Sequence, residues 1–360
     1  MKKILFVFKD SSLERIINEK KLGEEPADFL FGFDYLNKNR FSAQLINAPR
    51  GEVKGLTRNF FHLAEWPFRK ITRLGLALEI YPLFKKEIKN ADIIFCSTDG
   101  TSFGILFWKK IGLIKADVIA MIQSLPERVN RFRNFPLVRR FISSLLNQAS
   151  VILTFTEFAQ KDLIADFRLN GDKIHSFPFG VDTNFWKINT SGRKENFILS
   201  IGNDGNRDYP TLIEALPEET ELKIITKRPI DLKHKLVKIL SGISNEEVGK
   251  LYNQALFVVI PSIKVKNESP GQSTAMQAMA CGKAAIIPRL PTMEEIFTDR
   301  EHCLFYEPEN AADLRKKINI FLADKILCEK IGAKARRLIE EKYNCRKMAE
   351  RLENILTDLI

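Results

Sequence analysis

No stretch of the 360 residues approaches the roughly 18 consecutive apolar residues of a membrane-spanning helix. The chain opens MKKILFVFKD, but its apolar run, Ile4–Phe8, stops at Lys9 and Asp10. That is shorter than the core of about 7–15 residues in a secretory leader, so it reads as a first strand. The protein is therefore expected in the cytoplasm or facing it. Five cysteines (Cys96, Cys281, Cys303, Cys328, Cys345) lie scattered without paired spacing, which argues against a disulfide framework and a zinc site. The four histidines show no ligand spacing either. GxGxxG after a strand, GxxxxGK[ST], HExxH and GxSxG are all missing. Ordinary dinucleotide binding, P-loop chemistry, zinc hydrolysis and serine hydrolysis thus lack their signatures.

What is present is an ordinary globular composition, 45% apolar, over a length that suggests two domains of about 180 residues. Short, nearly continuous apolar runs recur with helical patterns between them. In the first half they are Ile4–Phe8, Ala43–Ile46, Asp92–Ser97, Asp117–Gln123, Val151–Thr156 and Lys173–Pro178. In the second they are Phe197–Gly202, Leu222–Lys227, Phe257–Pro261, Ala284–Pro288 and Cys303–Tyr306. Such runs suit parallel strands covered on both faces, and their alternation with helices predicts two doubly wound, Rossmann-like α/β domains. Pro178, Gly180 and the polar stretch Lys187–Asn196 mark a linker. The expected division is 1–180, 181–340, and a C-terminal helix over 341–360 packing back on the first domain.

Residues 255–288 concentrate the chemistry. A buried strand, Phe257–Pro261, leads through a polar loop to a helix over Ser273–Cys281, with Gly282 placed as a left-handed C-terminal cap. Gly271, Gln272, Ser273 and Thr274 stand at the helix start. Free backbone N–H groups and the positive end of the helix dipole there suit a phosphate or pyrophosphate.

Four stretches set this site in context. They are Phe177–Asp182 (FPFGVD), Ser200–Leu216 (SIGNDGNRDYPTLIEAL), Ser244–Ser262 (SNEEVGKLYNQALFVVIPS) and Asn267–Lys283 (NESPGQSTAMQAMACGK). In this order they resemble the family 4 retaining glycosyltransferases of the GT-B fold, in which two Rossmann-like domains face each other across a cleft. The resemblance covers the second domain and, through Ala149–Asp182, the approach to it. It implies that Gly202, Asn203, Arg207, Gly271, Gln272, Ser273, Thr274 and Gln277 bind a sugar-nucleotide donor, with Arg207 and Glu268 catalytic. Here Asn203 stands in place of the family's arginine, Arg207 in place of its lysine, and Gln277 in place of its second glutamate. Glu268 fits the first glutamate with a shift of one residue. A glutamine can still bond ribose hydroxyls, and one guanidinium can grip a diphosphate in bidentate fashion. In the first domain Gln123 or Ser124 occupies the family's histidine position, and Asp99 is a further candidate on the acceptor side. The family's front-face transfer needs no metal and no other cofactor, in keeping with the lack of an Asp-x-Asp. The implied partners are a nucleotide-diphosphate sugar and a glycan or lipid-linked acceptor.

The net charge of +11 is uneven. Residues 1–180 hold 28 Lys/Arg against 19 Asp/Glu, while residues 181–360 hold 28 against 26. An anionic partner is expected in the first half. Residues 58–89 mix six aromatics with seven basic residues, and Arg128, Arg131, Arg133, Arg139 and Arg140 follow with no acidic residue between them. Aromatic and basic side chains together predict an anionic membrane surface. The same charge admits a nucleic-acid binder, but no nucleic-acid motif accompanies it, so no nucleic-acid partner is expected. A sugar-nucleotide 2-epimerase shares the architecture but wants acid and base side chains at strand ends that here lack histidine. A non-catalytic GT-B partner subunit is the other alternative, motivated by Gln277 and Asn203.

Overall fold

The computed structural model describes residues 1–9, 13, 25–48, 56–189, 195–230, 235–265 and 269–359. The chain forms two compact units. One comprises Met1–Leu22, Leu30–Pro178 and Ala349–Ile360; the other comprises Gly23–Phe29 and Phe179–Met348.

The first unit is built on six parallel strands: β1 Lys2–Phe8, β2 Phe41–Asn47, β3 Ile93–Cys96, β4 Asp117–Met121, β5 Val151–Thr154 and β6 Ile174–Ser176. Their spatial order is β2-β1-β3-β4-β5-β6. All four residues of β3 are buried, as are all four of β5, because helices cover both faces of the sheet. The edge strand β2 is only partly buried, with exposed Ser42 and Gln44. Helix Leu56–Thr72 turns Phe61 and Phe68 to the core, where the Phe68 ring meets those of Phe103 and Phe141 at 6.2 and 5.9 Å.

The second unit repeats the plan with β7 Phe197–Ile201, β8 Glu221–Ile225, β9 Val237–Leu240, β10 Val258–Val259, β11 Ala285–Pro288 and β12 Leu304–Tyr306. These too are parallel, in the order β12-β11-β10-β7-β8-β9. Both units are thus doubly wound α/β sheets of the Rossmann type. Eleven of the twelve strands coincide with the apolar runs of the sequence. The exception is β9, an edge strand in which no residue is fully buried and Lys238 and Ile239 are exposed, so it carries no continuous apolar signal.

Two further features depart from a simple linear division. Phe179, Val181 and Trp186, in the stretch read as a linker, are buried parts of the second unit. Residues 25–29 also belong to that unit, although they lie between elements of the first. The last helix, Cys345–Asp358, passes into the first unit from Ala349, and there the Asn37 amide donates to Glu353 at 2.6 Å and Arg40 to Thr357 at 3.1 Å.

Candidate functional site

In a doubly wound sheet, ligands bind beyond the carboxyl ends of the strands where the order reverses. In the second sheet that point lies between β7 and β10. The loop after β7 carries Gly202–Arg207, and the loop after β10 leads to helix Gln272–Ala280. The Ile263 amide donates to the Asn206 carbonyl at 2.9 Å, which ties the two loops together.

Arg207 is only 4% exposed. Its Nη2 donates to Thr274 Oγ1 at a long 3.4 Å. Its Nε lies 3.1 Å from Asp204 Oδ2, within ion-pair distance but not aligned as a hydrogen bond. Nε and Nη1 are both buried without a hydrogen-bond partner among the described residues, and so is Nε2 of Gln272. Leaving a buried donor unsatisfied costs about 1–3 kcal/mol, more for a charged group. Two glycines make room for this guanidinium. A Cβ on Gly202 would lie 1.8 Å from Arg207 Nε, and one on Gly271 would lie 2.3 Å from Nη1. Gly271 also has φ of +79°, in the left-handed region, and stands as the N-cap of Gln272–Ala280 with no side-chain cap. The Gln272 amide is taken by the Ser269 carbonyl at 3.0 Å, and the helix start sets the amides that follow it beside a cation with unused donors, a geometry suited to an anion.

Asn203 is part of the loop framework: its Oδ1 accepts from the Lys227 amide at 2.6 Å and from Thr226 Oγ1 at 3.4 Å. Arg228 braces the same loop by donating to the carbonyls of Asp204 and Arg207 at 2.9 and 2.8 Å. Tyr209 holds the Gly202 carbonyl from below through its hydroxyl at 2.7 Å.

Gln277 lies further along the helix and is half-buried. Its Nε2 donates to Asp28 at 2.8 Å, and its Oε1 receives a long 3.5 Å contact from the Tyr252 hydroxyl. Asp28 is wholly buried and also accepts from Trp186 Nε1 at 2.8 Å and the Asp182 amide at 2.6 Å. Burial pushes its carboxyl up to about 6; the three hydrogen bonds oppose the rise and the nearby Asp182 carboxylate adds to it. No motif announces Asp28, whose partner Gln277 is 249 residues away in sequence. Ser273 stands half-buried on the first turn beside Gln272 and Thr274. Glu268 lies outside the described residues.

In the first unit the order reverses between β1 and β3, and Asp99 follows β3 closely. It is buried and accepts from the amides of Gln123, Ser124 and Leu125 at 3.2, 3.0 and 2.9 Å. Burial raises its carboxyl above the usual range, against those amides. The Gln123 side chain donates to the Ser97 carbonyl at 2.7 Å. Asp99, Gln123 and Ser124 are thus together, with the Asp99 carboxylate fixing the turn after β4.

The two basic segments of this unit are neighbours. Arg128 donates to the Arg73 carbonyl just beyond helix Leu56–Thr72, and Arg139 to the Asp166 carbonyl at 2.5 Å. Arg131, Arg133 and Arg140 are exposed. So are Phe60, Leu63 and Trp66, spaced by three along helix Leu56–Thr72, and Phe135 and Leu137. Lys70 Nζ lies 4.9 Å from the centre of the Trp66 ring. Among the described residues no helix is long and apolar enough to cross a membrane.

Residues 207–354 match the glycosyl transferase-like family. The MMP alpha-(1->4)-mannosyltransferase of Mycolicibacterium hassiacum is 26% identical over 241 residues, which are 59% of this chain and 57% of that protein. The chain thus spans little more than half the length of that relative. Among solved structures, Anabaena HepE in complex with UDP-glucose is 15% identical with a TM-score of 0.71, over 99% of this chain and 100% of its own. Sucrose-phosphate synthase from Thermosynechococcus elongatus is 14% identical with a TM-score of 0.73, over 100% and 99%. The chain shares the fold of these proteins, and its second unit carries the similarity to the glycosyl transferase-like family.

Proposed function

We propose that this protein is a glycosyltransferase that moves a sugar from a nucleotide-diphosphate sugar to a lipid-linked or polysaccharide-precursor acceptor at the cytoplasmic face of a membrane. The observation that carries the reading is Arg207, buried between Gly202 and Gly271 with Nε and Nη1 unbonded, at the start of helix Gln272–Ala280. Similarity to the glycosyl transferase-like family over 207–354 supports it.

In this reading the donor diphosphate lies against the amides of Gly271–Thr274 and the Arg207 guanidinium, with Gly202 and Asn203 shaping the loop beside it. Gln277 meets the ribose, and Glu268, outside the described residues, has the donor-sugar role that the resemblance implies. The bond between the anomeric carbon and the phosphate oxygen breaks while the acceptor oxygen bonds to the same face of that carbon. The departing diphosphate takes the acceptor proton, and Arg207 offsets the charge that develops on it. The product keeps the donor's anomeric configuration, and the step needs no metal. Asp99, Gln123 and Ser124 belong to the acceptor side, and the exposed aromatic and basic face of the first unit meets an anionic lipid surface.

The test is transfer from a panel of sugar nucleotides to a membrane lipid extract, with the product's anomeric configuration read by NMR, with and without EDTA. Retention and indifference to EDTA are expected. Nucleotide binding without transfer or hydrolysis under any donor would overturn the enzymatic reading and favour a non-catalytic partner subunit.

A further inference from the structure

Of the carboxylates buried in the second unit, Asp28 is the most deeply enclosed, and the transfer step does not use it. Asp28 is wholly buried and makes three hydrogen bonds, one of them to Gln277. An ionised carboxylate only accepts hydrogen bonds, so the atom of Gln277 that faces it at 2.8 Å must be the amide nitrogen. The Tyr252 hydroxyl has one proton to give and lies 3.3 Å from the Thr274 carbonyl and 3.5 Å from Gln277 Oε1, so Asp28 is the partner that sets the orientation. A glutamate at 277 would set two carboxylates in contact, and the pair would have to share a proton. Asp28 and Gln277 are therefore a matched set, with the charge on the buried partner.

We propose that Asp28 is a positioning residue for the ribose end of the donor site: it holds the Gln277 amide with Nε2 inward, so that Oε1 is presented to the ribose hydroxyls as their acceptor. This rests on the sugar-nucleotide reading above. The acceptor that a glutamate supplies by its charge is here supplied by a neutral amide whose direction is fixed. When Asp28 takes up a proton, its O–H becomes a donor. The Gln277 amide then turns to accept it and offers Nε2 outward instead. The groups that act on Asp28 are the Asp182 carboxylate and, more weakly, the Tyr252 phenol and Cys281 thiol. Arg207 acts on Tyr252, and Arg336 and Lys283 act on Cys281. Burial keeps the phenol and the thiol protonated, the thiol pushed up to about 12, so neither changes charge as Asp28 titrates near 6.

The experiment is calorimetric titration of the full chain with UDP-glucose and with its 2′,3′-dideoxyribose analogue, across the pH range that spans about 6. The diphosphate of both ligands is esterified at each end and does not titrate there. UDP-glucose should weaken about tenfold as the pH falls, the worth of one hydrogen bond to a ribose hydroxyl, and the dideoxy analogue should not. Asp28→Asn should bind UDP-glucose about tenfold more weakly at neutral pH, with the pH dependence gone. The pair Asp28→Asn with Gln277→Glu should bind more tightly than Gln277→Glu alone. An equal pH dependence for the dideoxy analogue overturns the inference on the unmodified protein, whether or not the variants fold. Unchanged affinity and pH profile in Asp28→Asn also overturns it. Failure of the unmodified protein to bind UDP-glucose, GDP-mannose and ADP-glucose alike would remove the sugar-nucleotide reading itself, and this inference with it.

Discussion

Arg207 is a side chain whose place makes poor sense for stability and good sense for binding. A buried guanidinium with Nε and Nη1 outside any hydrogen bond among the described residues lowers stability, because one ion pair at its edge does not replace the lost hydration. Its nearest carboxylate, Asp204, is on a side chain 40% exposed and can return to water if the arginine is removed. Arg207→Met should therefore raise stability by about 1–3 kcal/mol, seen as a rise in melting temperature, while lowering kcat/KM for transfer by about 10²-fold or more. Loss of both stability and activity would show that the guanidinium is a structural cation instead. Asp28 makes a second prediction at this scale. Its carboxyl is raised from the usual 3.8 to about 6, so between those values the folded chain holds a proton that the unfolded chain has lost. The contribution of Asp28 to stability should then fall as pH rises through that window, by about 3 kcal/mol in all. The difference between the unmodified protein and Asp28→Asn in urea denaturation should change by that amount from acid to neutral pH, with the unmodified protein losing ground as pH rises. A constant difference would mean that Asp28 keeps an ordinary carboxyl.

Among the elements, the start of helix Gln272–Ala280 depends on Gly271 in two ways: its φ is +79°, and its α-hydrogen leaves room for Arg207 and Ile260. Gly202 has only the second reason, a Cβ there meeting Arg207 Nε at 1.8 Å. Gly271→Ala should cost about 1–3 kcal/mol of stability and most of the activity. Gly202→Ala should abolish donor binding by displacing the guanidinium, and Gly202→Ala in an Arg207→Ala background should be close to neutral for stability. That double-mutant cycle, read by thermal denaturation, separates crowding of the arginine from strain of the loop itself. These elements were legible in the sequence because their signals are local. The continuous apolar runs of β3, β5 and β10 follow from burial on both faces, and the glycine before the helix follows from its turn. β9 was not legible, since Lys238 and Ile239 face water and leave no periodic stretch. Nor was the tie between Asp28 and Gln277 across 249 residues. Trp186 and Tyr252, which complete that cluster, carry no sequence signal that ties them to it. Local pattern marks the proposed anion site, whereas the polar network behind it is set by which distant segment the fold brings there.

At the scale of the whole molecule, the excess of basic residues lies in residues 1–180 and not in the half that carries the proposed donor site. Within the first unit it accompanies two neighbouring segments in which Phe60, Leu63, Trp66, Phe135 and Leu137 are exposed. Scattered exposed apolar residues are ordinary, but here two of them stand more than 70% exposed in the same segments as exposed basic residues. Arg131, Arg133 and Arg140 would each gain about 1 kcal/mol near an anionic leaflet, so reversing all three should weaken vesicle binding by more than about a hundredfold. Sedimentation with phosphatidylcholine vesicles, with and without phosphatidylglycerol, tests this. The unmodified chain should bind the anionic vesicles far more tightly than the neutral ones, and less as salt rises, because exposed charges are screened. Leu63→Ser with Trp66→Ser should remove the part of binding that survives salt, since that part comes from apolar burial. Affinity for the sugar nucleotide should stay unchanged in both sets, because the residues proposed to hold it belong to the second unit. Vesicle binding that ignores both sets of changes would mean that this face meets no lipid, and the acceptor would then have to be sought among soluble glycans.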